Sequence, residues 1–147
     1  PLSYGSTLIE GFSLTFERGR VVKMTAERGA DTLQRLLDTD EGARRLGEVA
    51  LVPHSSPISQ SGLLFYNTLF DENFGGVHGN SHIALGASYR NTFAGNPRAL
   101  SAAVRGKLGF NDSALHWDFV NTEKKRVTAV LACGSRLTVY ENGEFAC

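Results

Sequence analysis

Thr7-Leu8-Ile9-Glu10-Gly11-Phe12-Ser13-Leu14-Thr15-Phe16 alternates apolar and polar residues, Glu17-Arg18-Gly19-Arg20 supplies turn chemistry, and Val21-Val22-Lys23-Met24 resumes the pattern. A period of two buries one face of a strand and wets the other, so the stretch predicts a β-hairpin with arms at 7–16 and 21–24. The far end of the chain repeats the signal. Residues 127–131 and 137–140 read as strands, with turns at Cys133-Gly134 and Asn142-Gly143. Strands at both ends leave little of the alternation of strand and helix that builds a doubly wound sheet. The fold class expected is α+β, a mixed, strand-rich single domain with a few short helices.

Between the ends the period changes. From Ala30, with Asp31 near the start, Leu33, Leu36 and Leu37 share one face opposite charged residues, which predicts a helix, and a second short helix is expected over 41–46. Glu48-Val49-Ala50-Leu51-Val52-Pro53 reads as a buried strand with one acid at its mouth. A Ser/Pro-rich loop precedes the apolar run Gly62-Leu63-Leu64-Phe65-Tyr66-Asn67. The Gly-rich stretch 74–80 is expected to be irregular, residues 82–85 to re-enter the core, and 97–107 to form a short helix.

The chain of 147 residues, 41% hydrophobic and 20% charged, suits one domain. Fifteen basic and fifteen acidic residues cancel, removing the long-range attraction that nucleic acids and acidic membranes exploit; neither is an expected partner. The charge-free run 49–70 is broken by Pro53, His54 and Pro57 and is not the stretch of about 20 apolar residues that spans a bilayer. Two cysteines, Cys133 and Cys147, make neither a disulfide framework nor a zinc ribbon, so a reduced, cytoplasmic setting is expected. The start, Pro1-Leu2-Ser3-Tyr4, without initiator Met or leader, is read as the interior of a longer polypeptide.

His116-x-Asp118 is the sharpest chemical signal. On a strand, residues two apart share a face, so both donors can converge on one ion; a hydrogen-bonded core His beside a surface Asp is the competing reading. Glu48, heading an apolar strand, is costly there unless paired or metal-bound, and otherwise a solvent-facing acid at a strand edge. Asp71, Glu72 and His82 add the mixed oxygen and nitrogen donors that suit zinc, cobalt or manganese. His78 and His82 are spaced as in a zincin helix, but Gly75, Gly76 and Gly79 oppose a helix and no Glu follows His78. No Gly-x-Ser-x-Gly elbow, phosphate loop or cysteine-nucleophile motif is present, and His54-Ser55-Ser56 reads as a solvated loop.

Five ordered blocks, Leu46-Gly47-Glu48-Val49-Ala50-Leu51-Val52-Pro53, Ser56-Pro57-Ile58-Ser59, Phe65-Tyr66-Asn67-Thr68-Leu69-Phe70-Asp71-Glu72-Asn73, His82-Ile83-Ala84-Leu85-Gly86 and His116-Trp117-Asp118-Phe119, resemble the aminopeptidase T/S family of metallo-aminopeptidases. The resemblance covers 1–147. It implies a C-terminal, metal-ligand-bearing domain whose N-terminal α/β domain, with a further glutamate ligand, is not in this chain. Two divalent ions are then expected, zinc or cobalt first and manganese or magnesium next. Glu48 matches the bridging carboxylate, His82, His116 and Asp118 match further ligands, and Glu72 is either ligand or general base. Tyr89 matches an active-site tyrosine able to donate to an oxyanion, where the residues alone favour a packing Tyr. The implied activity is metal-dependent hydrolysis of N-terminal peptide bonds in peptide substrates, by a full-length protein expected to be a homodimer. The isolated chain is expected to be weakly active or inactive. The connection from Glu72 to His82, which contains His78, is longer than in compact members and leaves room for a lid or an added ligand. The rival expectation is a non-catalytic domain with a vestigial metal site, serving oligomerisation or chamber closure; apolar residues such as Phe65, Phe70 and Phe74 suit either a substrate pocket or a subunit contact.

Overall fold

In a computed structural model, which describes residues 2–4, 6–63, 70 and 72–146, the chain opens with two short antiparallel strands, β1 (Leu2–Tyr4) and β2 (Thr7–Ile9). The single arm expected over 7–16 is therefore split. Gly11 takes a left-handed φ of 57°, and the Glu10 carbonyl accepts the amides of Glu27 and Arg28, so the chain turns before a new strand starts. The hairpin itself joins β3 (Ser13–Glu17) to β4 (Arg20–Thr25) through Arg18-Gly19. Both turn residues are left-handed, with φ of 49° and 75°, matching the right-handed twist of the strands they connect.

The helix read from the leucine spacing is α1 (Ala30–Leu37), and Leu33, Leu36 and Leu37 are its buried face. Burying each such side chain is worth about 1.5–3 kcal/mol. The second helix, expected over 41–46, is replaced by turns. Asp40 Oδ1 accepts the Ala43 amide at 2.8 Å, while the Arg44 carbonyl and Leu46 amide bond to Val21 and Gly19, which draws the backbone towards the hairpin and away from helical pairing.

Next come β5 (Leu46–Val52), the single-turn α2 (Pro57–Gln60) and β6 (Asn80–Gly86). Of β5, expected to be buried, only Val52 is fully so; Val49 is 71% exposed. The helix expected over 97–107 divides into a 3-10 turn, Pro97–Ala99, and α3 (Ala102–Leu108), because Ser101 Oγ accepts the Val104 amide and caps a fresh start. The chain ends with β7 (His116–Asn121), β8 (Arg126–Val130), β9 (Arg136–Glu141) and β10 (Glu144–Phe145). Strand-rich α+β is thus the observed class, with three-stranded sheets of order β5-β6-β7 and β10-β9-β8 beside the two hairpins. Leu64, Phe65, Tyr66, Asn67, Thr68, Leu69, Asp71 and Cys147 lie outside the described residues.

Two compact units emerge, 1–48 with 84–117, and 49–83 with 118–147. The first is cored by Ile9, Val21, Leu33, Leu36, Leu37, Leu85 and Trp117. The second is organised around fully buried Tyr140, whose hydroxyl donates to the Val52 carbonyl at 2.9 Å and whose ring meets Phe145 edge-on. Strands β5, β6 and β7 each belong partly to one unit and partly to the other.

Candidate metal centre

The C-terminal end of β6 is tied to the N-terminal ends of both neighbours: the Gly86 amide donates to the Arg45 carbonyl, and the Ala87 amide to the Leu115 carbonyl. Gly86 has a left-handed φ of 94°, and a Cβ there would stand 1.9 Å from the Leu115 carbonyl oxygen, so only glycine permits this approach. Neighbouring strands are about 4.8 Å apart, which brings side chains on one face of adjacent strands to similar spacing.

Glu48 on β5, His82 on β6 and Asp118 on β7 use that spacing, each offering one donor atom within 4.8 Å of the other two. Donors around a zinc-like ion at 2.0–2.2 Å stand roughly 3.5 Å apart, so small side-chain rotations suffice to close on one. The set fits a divalent transition ion, with two carboxylates for charge and one imidazole. His82 is 4% exposed, and its Nδ1 faces Asn80 Oδ1 at 3.5 Å, an orienting partner of the kind that metal-binding histidines commonly have.

His116 adjoins the three. Its Nδ1 donates to the Ala87 carbonyl at 2.7 Å, which leaves Nε2 as the lone-pair nitrogen of the neutral ring, 3.6 Å from Glu48 Oε2. Tyr89 packs on that ring with centroids 4.5 Å apart, its side chain half exposed. The segment bearing Tyr89 is clamped on both sides. Ser88 and Asn111 exchange hydrogen bonds, and Asp112 accepts from Arg90 at 2.6 Å and Arg105 at 2.8 Å, bonds that hold its carboxyl below the usual range.

Glu72 stands half-buried in a turn outside the three-donor group, and His78 is exposed and also outside it. The loop at His54 is braced, not merely solvated: Ser55 donates to Glu144 through its amide and hydroxyl, and the His54 ring binds the Gly76 carbonyl. Asn80, fully buried two residues before His82, is the site residue the sequence reading passes over; its position at i−2 on the same strand face is the available signal.

Residues 1–145 match the family described as thermophilic metalloprotease (M29). The chain is 46% identical to aminopeptidase AmpS of Bacillus subtilis, 47% to aminopeptidase 2 of Geobacillus stearothermophilus and 45% to aminopeptidase T of Thermus thermophilus. Each match covers 99% of this chain but 34% of the relative, so the chain spans about a third of their length. The solved structure of wild-type AmpT from Thermus thermophilus superposes with a TM-score of 0.77 at 43% identity, over 98% of this chain and 34% of that one. The chain belongs to the thermophilic metalloprotease (M29) family.

Proposed function

We propose that this chain is the metal-ligand-bearing part of a metal-dependent aminopeptidase that removes N-terminal residues from peptides. The observation that carries the reading is the convergence of Glu48, His82 and Asp118 from three separate strands onto a point fit for one divalent ion. His116, facing Glu48, would extend the donor set towards a second divalent ion, and zinc or cobalt would suit these imidazole and carboxylate donors best. Ions held there supply Lewis-acid polarisation of the scissile carbonyl and acidification of a water.

The chain's own residues do the rest. Glu72, outside the three-donor group, takes the proton of the attacking water and returns it to the leaving amine. Tyr89, steadied by the clamp around it, donates its phenol proton in a hydrogen bond to the oxyanion of the tetrahedral intermediate. A carboxylate of the site would give the free α-amino group of a peptide its counter-charge. Homodimerisation of the full-length protein belongs to the same reading.

Elemental analysis after dialysis is the test, comparing the protein with His116→Ala/Asp118→Ala. Bound metal that disappears in the double variant supports the reading. Equal metal in both, or release of residues from N-acetylated and free peptides alike by the full-length protein, sinks it.

A further inference from the structure

The turn that closes the β3–β4 hairpin is built from the wrong residue. A two-residue turn with both positions left-handed favours Asn-Gly or Asp-Gly, yet the first position holds Arg18 at φ 49°. A long side chain there costs free energy that an asparagine would not. No carboxylate pairs with Arg18 among the described residues. Instead it lines a cleft of about 350 Å³ together with Arg45, Leu46, Phe110 and Asn111. Arg45 is itself weakly engaged: its ion pair with Glu41 is 3.9 Å long, and Glu41 is held by Arg20 at 2.6 Å. Gly19, Gly106 and Gly109 leave parts of the wall without side chains, and no acid is among its described lining residues.

Two arginines among the described lining residues, one of them held at a conformational cost, offer the guanidinium chemistry that recognises carboxylate and phosphate oxygens. We propose that this cleft is an oxyanion-binding site. Leu46 lies two residues before Glu48 on β5, about 7 Å along the strand, so the cleft borders the strand that carries a metal-ligand candidate. A carboxylate at a peptide's end and free inorganic phosphate share the required chemistry.

The test is calorimetric titration of the chelator-treated protein with sodium phosphate, with trialanine and with trialanine amide, which keeps the metal centre out of the measurement. Binding of phosphate or trialanine is expected, about ten-fold weaker in Arg18→Asn and in Arg45→Gln. Arg18→Asn should melt no lower than the wild type, because Asn suits the turn, so its loss of binding is not a loss of fold. Trialanine preferred over its amide assigns the site to a peptide carboxylate; phosphate alone assigns it to free phosphate. Absence of binding by either oxyanion, or affinity unchanged in both variants, overturns the proposal.

Discussion

At the scale of single residues, polar groups inside each unit do as much to specify geometry as the apolar core does. Asp40 accepts from the amides of Ala43 and Ala114 and from the Ser113 hydroxyl, bonds that hold its carboxyl below the usual range, the Ala114 amide foremost. Its stabilisation is present above the ordinary carboxylate pKa, near 4, and lost as pH falls through the folded value. Asp40→Ala should therefore cost about 1 kcal/mol at neutral pH in urea unfolding, a gap that closes in acid. Tyr140 has the opposite sign. Burial first, then the nearby Glu144 charge, pushes its phenol up, so its contribution holds below about pH 10 and is lost as pH rises through the folded value. Tyr140→Phe leaves the Val52 carbonyl without its donor, costing roughly 1–3 kcal/mol at pH 7 while blunting the alkaline loss seen in the wild type. Paired unfolding curves at pH 7 and above 10 check both halves.

At the scale of elements, what could be read in advance depended on whether the cause was local. Leu33, Leu36 and Leu37 announce α1 because a helical face is written within eight residues, and His116-x-Asp118 announces a shared strand face for the same reason. The split of 7–16 is not local: it depends on the Glu10 carbonyl meeting the amides of Glu27 and Arg28, which no window around Gly11 contains. The missing helix at 41–46 is likewise decided by the hairpin turn at Gly19. Glu48 was legible as a costly acid, and its partner His116 only through the sheet that brings them together. That sheet has a weak point of known place. Gly86→Ala would drive a Cβ into the Leu115 carbonyl at a φ hostile to side chains, prising β6 from β7 at a cost of about 3 kcal/mol or more. Urea unfolding should show this, and elemental analysis should show metal lost with it.

At the scale of the whole molecule, fifteen basic and fifteen acidic residues balance, and no helix among the described residues is long and apolar enough to cross a membrane. If the donors hold an ion, chelation should lower the melting temperature, since a ligand at a hundred times its Kd adds about 2.7 kcal/mol to the folded state. His116→Ala/Asp118→Ala should melt at one temperature with or without chelator; a shift equal to the wild type's would place the ion elsewhere. The three donors enter the chain in the order Glu48, His82, Asp118, the last of them on β7. On a ribosome delivering residues from the N-terminus onward, the three-donor site is incomplete until Asp118 has emerged. Capture by all three donors would then follow the synthesis of β1 to β6, and the ion would act as a clasp on strands already made.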